Sequence, residues 1–518
     1  MDRKISRALI SLSDKRGLLE LASGLVSMGV EILSTGGTAK ALQAAGIAVR
    51  LVEEYTGFPE MMDGRVKTLH PKIHGGLLFQ RSNPAHCEQA RVHGIEPIDL
   101  LVVNLYPFEE AAAKPGIAFE DLVEQIDVGG PTMIRAAAKN HADVAVVVDP
   151  QDYDAVLEEM RTRDGALSAA TRLRLAAAVF RHTAFYDGLI ARVLTERAEP
   201  EALFPELLSL PMRRAQGLRY GENPHQAAAF YRDPLAAVSG LAGAKQHHGK
   251  ELSYNNLMDA DAAWSMTQHF EQPFAVVVKH ANPCGAAVGS DIGEAYRRAY
   301  ESDPQSAFGG IVAVNRTVDQ GLADALCETF LEVVMAPGYE PDALASIQAR
   351  KKNLRLIEMP AGIPSAKDLV IRRVAGGYLT QQPDLAQERA ADWELKAGPA
   401  LDEGLKTDLD LAWKLVRHVK SNAIVLVRDG CLIASGPGQT SRVGSVEICL
   451  RHAGEKARGA VLASDAFFPF ADGPKLALDQ GVRAVIQPGG SVRDQETIEL
   501  CAGRGVSLVF TGRRHFLH

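Results

Sequence analysis

Long apolar runs are missing from this 518-residue sequence. None approaches the ~20 consecutive apolar residues that cross a bilayer, and the opening MDRKISRALI passes into a strand-like pattern with no apolar signal region. No membrane partner is expected. Cysteine is scarce: the six present show no CxxC or other metal-ligand spacing and are too few for a disulfide framework, so a reducing, cytoplasmic setting is expected. Positive charge is not in excess either. The formal net charge of -8 lacks the bias of many nucleic-acid binders, so no nucleic acid is expected and an anionic ligand has to be held by particular residues. A Walker loop is absent: the nearest stretch, 243–250, has too many residues between its glycines, and Glu251 follows its lysine. What remains, 46% hydrophobic and 23% charged, is ample for two or three cores.

The stretch FAVVVKHANPCGAAVG organises the rest. Residues 274–278 have the length and β-branching of a buried strand and run directly into Lys279 and His280. Asn282, Pro283 and Gly285 are expected to break that strand and leave the pair at the mouth of a cleft. A lysine beside a histidine disfavours the imidazolium, which makes a poised base near pH 7; the alternative is a solvated strand end. A zinc deaminase would need His-x-Glu and Pro-Cys-x-x-Cys. Asn282 and Ala287 stand where the glutamate and second cysteine should be, so the site should work without zinc.

The first two hundred residues alternate strand and helix. Strands are expected at 8–13, 30–33, 47–52, 100–104 and 144–148, with helices at 17–29, 38–45, from Pro131 through Lys139, and 172–185, which implies a parallel sheet with ligands at its carboxyl edge. Ser13 and Lys15 follow one strand; Ser34, Thr35, Gly36, Gly37 and Thr38 follow another. Both loops open helices and suit a phosphate, the alternative being a pair of capped turns. Residues 63–76, DGRVKTLHPKIHGG, form a cationic, turn-rich segment with Arg65, Lys67 and Thr68. His70 and His74 have zinc-pair spacing, but Pro71 intervenes and no metalloprotease glutamate follows His70. Asn104 and Tyr106 end a further strand. Asp127 and Lys139 are too distant to meet within one helical turn, though both could face one pocket if the helix packs over the strand ends.

A charged, proline-punctuated linker is expected at 192–211. Beyond it, Arg219 and Tyr220 suit a phosphate and a base; KELSYNNLMDAD enters a helix with Asn256; Gly309 precedes a strand and Glu332 follows it. A charged region at 348–404 reads as an insertion or surface subdomain. The pattern then restarts with Asn422, a Gly/Ser/Arg loop holding Arg442, and SDAFFPFADG, which suggests an internal duplication of an α/β/α unit. The terminal Arg513-Arg514-His515-Phe516-Leu517-His518 reads either as a basic tail or as part of a site.

Taken in order, SLSDKRG, STGGT, DGRVKTLHPKIHGG, NLYPFE, IDVGGPTMIRAAAKN, LRYGENPHQ, VKHANPCG, SDPQSAFGG, SNAIVL, GPGQTSRV, SDAFFPFADG and RHFLH closely resemble the bifunctional purine-biosynthesis family. That family joins phosphoribosylaminoimidazolecarboxamide (AICAR) formyltransferase to inosine monophosphate (IMP) cyclohydrolase. The resemblance implies a methylglyoxal-synthase-like α/β domain over 1–197 for ring closure. Over 198–518 it implies two tandem cytidine-deaminase-like α/β/α units for formyl transfer from 10-formyltetrahydrofolate. In the first, Lys67 would stabilise an oxyanion, with Tyr106, Asp127 and Lys139 in proton transfer and positioning. Ser13, Lys15, Ser34, Thr35, Gly36, Gly37, Thr38, Arg65, Thr68 and Asn104 would surround the nucleotide.

In the second, His280 would shuttle the proton while Lys279 and Asn422 hold substrate and formyl oxygen. Arg219, Tyr220, Asn256, Gly309, Glu332, Arg442, Arg514, Phe516 and His518 would bind the nucleotide; Phe468, Pro469 and Asp472 would face the folate. The resemblance further implies a homodimer acting on small-molecule substrates with no bound catalytic cofactor and room for a monovalent cation. Two other readings stay open: a nucleotide-sensing module that keeps only the phosphate loops, and a one-activity enzyme with a degenerate cyclohydrolase half.

Overall fold

The computed structural model describes residues 2–62, 65–236, 240–362 and 365–518; Asp63 and Gly64 of the cationic segment lie outside the described residues. The chain forms two compact units, Met1–Arg213 with Asp233–Leu235, and Arg214–Arg232 with Ala236–His518.

The first unit is built on a five-stranded parallel sheet in the order Arg50–Leu51, Glu31–Ser34, Arg7–Leu12, Leu100–Asn104, Ala145–Val147. Along Arg7–Leu12 the two-residue period sends Ala8, Ile10 and Leu12 into one buried cluster and Leu9 into another. A slip of one residue would exchange the two sets, so packing fixes the register. The chain winds outward from Arg7–Leu12 to one edge and returns to Leu100–Asn104 on its other side. The carboxyl ends of those two neighbours are therefore the switch point at which such sheets bind ligands. The strand expected at 47–52 is confined to Arg50–Leu51, and Val52–Thr56 is a helix. The last helix is longer than expected, Ala169–Ala198, and packs on Gly129–Lys139.

The second unit contains a twelve-stranded mixed sheet whose order is mirrored about its centre. From one edge run Lys245–His248, Arg355–Glu358, Val333–Ala336, Ile311–Val314, Phe274–Lys279 and Asn282–Val288. From the other run Glu394–Ala397, Ser507–Phe510, Ala484–Gln487, Val461–Ser464, Ile424–Arg428 and Cys431–Gly436. The halves join where Ala287 pairs with Cys431. In each half the edge strand leads into a helix, Tyr254–Thr267 or Glu403–Val416, followed by an antiparallel hairpin. The expected duplication is thus present.

Two expectations are corrected here. Asn282, Pro283 and Gly285 do not end the strand pattern; Asn282–Val288 is itself a strand that folds back on Phe274–Lys279. The charged region at 348–404 is not a separate insertion, because Arg355–Glu358 and Glu394–Ala397 belong to the main sheet; the hairpin Val370–Val374 with Gly377–Gln381 is separate.

Candidate active sites

At the switch point of the first unit, the Asn104 amide ties the opening turn shut. Its oxygen accepts from the N–H groups of Ser13 (2.6 Å) and Asp14 (3.0 Å), and its nitrogen donates to the Asp14 carbonyl at 2.7 Å. Ser34 and Thr38 also face inward. The Ser34 hydroxyl donates to the Ile10 carbonyl at 2.7 Å, and Thr38 Oγ1 accepts from the Leu12 N–H at 2.9 Å. These three side chains were expected to touch the nucleotide; the structure uses them to join the strand ends and so to shape the loops that remain open.

Open backbone is found at the start of the helix Gly36–Ala44, where Thr35 makes no side-chain cap. Gly36 takes φ +54°, and a Cβ there would stand 3.4 Å from the Lys67 amine; one on Gly37 would stand 3.7 Å from that of Lys15. Two ammonium groups over a helix N-terminus form an anion cradle. Arg65 is exposed and paired with Glu124. The His70 imidazole accepts from the Lys72 N–H and caps the helix Pro71–Leu78. Buried Thr68 abuts Gly129, where a Cβ would meet its hydroxyl oxygen at 3.0 Å.

Asp127 borders this cradle. Burial pushes its carboxyl above the ordinary range; hydrogen bonds from the Gly130 and Tyr106 backbone and the charge of Lys67 oppose that rise. The Tyr106 phenol is raised too, by burial and then by the Asp127 and Glu60 charges. Tyr186, which sequence reasoning missed, fixes the loop: its hydroxyl accepts from the Asp127 N–H and donates to the Gln125 carbonyl, both at 2.9 Å. Lys139 is not brought to Asp127. It is exposed at the last residue of the helix Gly129–Lys139, about 15 Å along the axis from the first.

In the second unit, contacts across the seam between the repeats bring some of the expected residues near one another. The Lys279 amine donates to the Phe308 carbonyl at 3.0 Å, beside Gly309, and His280 is exposed at the tip of the hairpin. From the other repeat, the Lys420 N–H reaches the Asn282 amide oxygen at 3.4 Å, and the Ser435 hydroxyl donates to the Pro283 carbonyl at 3.2 Å. These contacts bring the Lys279-His280 turn beside Lys420, Ser421 and Asn422. Asn256 is held away from bulk water, donating to Glu332 at 2.8 Å. Arg219 lies over the Tyr220 ring at 5.6 Å.

Arg442 and Phe468 differ from expectation. Arg442 is buried against Asp465, and donates to Ser464 Oγ and Asn422 Oδ1, both at 2.8 Å. It holds Asn422 in place, and the amide's nitrogen donates to the Gln439 carbonyl at 2.8 Å. Arg442→Met would leave Asp465 buried without its cation, an expected loss of roughly 3–5 kcal/mol readable as a lower urea midpoint for the second unit. Phe468 is a core residue packed near Gly473 and Val446, whereas Pro469 and Asp472 are exposed.

The terminal residues are fastened down. Ser421 N–H donates to the Leu517 carbonyl at 2.8 Å, Leu517 N–H returns to the Ser421 hydroxyl at 3.1 Å, and Lys420 Nζ reaches the His518 carbonyl at 2.9 Å. Arg514 lies over the Phe516 ring at 4.6 Å. Buried His515 holds Asp384 with Nδ1 (2.5 Å) and Glu388 with Nε2 (3.2 Å). Burial opposes its protonation, but the two carboxylates outweigh this and raise its pKa. Burial likewise pushes Asp384 and Glu388 up, while His515, joined at Asp384 by Arg417, holds each down at about 2.

The raised histidine contributes stability that is fully present below its unfolded pKa of about 6.5 and is lost as pH rises through the folded value. The depressed carboxylates contribute above their unfolded values of about 4 and lose that contribution as pH falls through about 2. Amide exchange of residues 513–518, corrected for intrinsic rates, is expected to be slowest between about pH 4 and 6.5. Uniform protection across that range and beyond would exclude the clamp.

The first unit thus sets two lysines at a helix start near a half-buried carboxylate, and the second, a duplicated mixed sheet, exposes a histidine at its seam. Comparison with known proteins gives the class. Residues 17–132 match the MGS-like domain and residues 137–452 the AICARFT/IMPCHase bienzyme family. Proteins named bifunctional purine biosynthesis protein PurH, from Bacillus cereus (strain AH820) and Bacillus mycoides (strain KBAB4), are each 52% identical over 514 residues, 99% of either chain. A crystal structure of ForH is 36% identical, covering 36% of this chain and 96% of its own, at a TM-score of 0.35. The chain belongs to the AICARFT/IMPCHase bienzyme family, and is a bifunctional enzyme of purine biosynthesis with AICAR formyltransferase and IMP cyclohydrolase activities.

Proposed function

We propose that the first unit closes the purine ring and the second transfers the formyl group, in a cytoplasmic homodimer. In the first unit, the phosphate of formyl-AICAR ribonucleotide sits on the start of Gly36–Ala44 between Lys15 and Lys67, with Arg65 and Thr68 bordering it. The carboxamide nitrogen attacks the formyl carbon, forming the N–C bond. Lys67 stabilises the developing oxyanion, Asp127 takes the amide proton and returns it to that oxygen, and Tyr106 orients the carboxamide; the C–O bond then breaks, the hydroxyl leaving as water with the proton of the formamide nitrogen, which forms the C=N bond of the ring. A carboxyl raised by burial and held beside an ammonium group is the observation that carries this reading.

In the second unit, the 5-amino group of AICAR ribonucleotide attacks the formyl carbon of 10-formyltetrahydrofolate. His280 receives the amine proton, Lys279 and Asn422 hold the substrate and the formyl oxygen, and collapse of the intermediate returns the electron pair to N10 of the folate, which is protonated as it leaves. Arg219, Tyr220, Asn256, Gly309, Glu332, Arg514, Phe516 and His518 frame the nucleotide, with Pro469 and Asp472 on the folate side. Each half of the unit has a cytidine-deaminase-like fold. The two-residue hairpin at the seam, which carries His280 out to solvent, supports its part in proton transfer.

Purified protein given AICAR ribonucleotide and 10-formyltetrahydrofolate should release tetrahydrofolate and IMP, followed separately. Accumulation of formyl-AICAR ribonucleotide without IMP would remove ring closure from the reading, and release of neither product would remove both steps.

A further inference from the structure

The strands Phe274–Lys279 and Asn282–Val288 are joined by only His280 and Ala281, at φ +53° and +58°. Two-residue hairpins of this kind need both residues at positive φ and favour Asn-Gly or Asp-Gly; side chains with a Cβ sit there unwillingly. The second repeat obeys the preference, turning on Asp429 (φ +53°) and Gly430 (φ +71°). The first places a histidine and an alanine in the same geometry.

One carboxylate spans the turn in each repeat. Asp259 accepts from the His280 N–H at 3.2 Å and from the Ala281 N–H at 2.7 Å. In the second repeat Asp408 accepts from Asp429 at 3.1 Å and Gly430 at 2.7 Å, and also receives Arg483 at 3.1 Å. The sequence carries this correspondence as Asp-x-Asp-x-Ala-Trp, from Asp259 to Trp264 and again from Asp408 to Trp413, with the same offset that separates His280 from Asp429.

We infer that Asp259 is a positioning residue for formyl transfer: its carboxylate holds the His280–Ala281 turn in a conformation those residues do not favour, and so aims the His280 imidazole. The inference rests on His280 as the proton-transfer group. Asp408 braces a turn that glycine already suits, so only the first repeat relies on its carboxylate to present a reactive side chain.

The test uses the full chain and follows formyl transfer and ring closure separately. Asp259→Ala should lower kcat for formyl transfer by about tenfold to a hundredfold, with a smaller change in KM and unaltered ring closure. Asp259→Asn, which keeps one acceptor oxygen, should fall between. Ala281→Gly in the Asp259→Ala background should recover most of the loss, since glycine adopts the turn without the brace. Adding Asp259→Ala to His280→Ala should cost nothing further.

Unchanged kcat in Asp259→Ala while His280→Ala is slow would overturn the inference alone. Unchanged kcat in His280→Ala would instead remove the reading on which it rests. A loss that Ala281→Gly does not recover, in protein whose ring closure and circular dichroism are intact, would show that Asp259 acts by another route and would also overturn it. So would an additive drop in the double variant.

Discussion

Lys67→Ala is expected to cut ring closure by about a hundredfold to a thousandfold in kcat, the usual cost of losing a donor aimed at a developing oxyanion, with formyl transfer unchanged. The loss should exceed that for a peripheral phosphate contact because the amine serves two neighbours. It stands 3.4 Å from where a Cβ on Gly36 would be, at the helix start, and its charge opposes the upward shift of the Asp127 carboxyl. Without it Asp127 should hold its proton to higher pH, so the residual activity should rise with pH along a limb displaced upward from wild type. Single-turnover conversion of formyl-AICAR ribonucleotide to IMP, measured across pH, would show both effects. Equal losses in ring closure and formyl transfer would contradict separate sites.

His280→Ala should produce the converse, a loss of about a hundredfold to ten-thousandfold in formyl transfer, the range for a general base, with ring closure intact. The 5-amino group of AICAR ribonucleotide is a weak nucleophile whose proton has to leave as the C–N bond forms. The effect should therefore fall on kcat rather than on KM for the nucleotide. Tetrahydrofolate release is the direct readout, and a wild-type rate would take His280 out of the chemistry.

The strand ends and their loops were readable because β-α alternation, glycine turns and short apolar runs are local signals. Orientation within a loop was not. Ser34, Thr38 and Asn104 have ligand chemistry, yet they spend it on the backbone of neighbouring strands, a choice made by tertiary packing. In SDAFFPF either adjacent phenylalanine could enter the core; Phe468 does, and Phe467 and Phe470 remain outside. Pro283 suggested a strand break, but it pairs with Val278 where the register shifts, the kind of irregularity at which a strand tolerates proline. Asp259 and Tyr186 touch backbone across long sequence separations. The repeated Asp-x-Asp-x-Ala-Trp pattern is a signal that could have led to the first, whereas no local signal marks the second.

A sheet mirrored about one pair of strands has two equivalent ends. Two identical copies in that arrangement would display the same turn at both, related by a dyad. In this chain the second turn instead carries Asp429 and Gly430, and Arg298 donates its guanidinium to the Asp429 and Val288 carbonyls, fastening one repeat to the other. One turn of the pair is thus left to present a histidine, while the other ties the two repeats together.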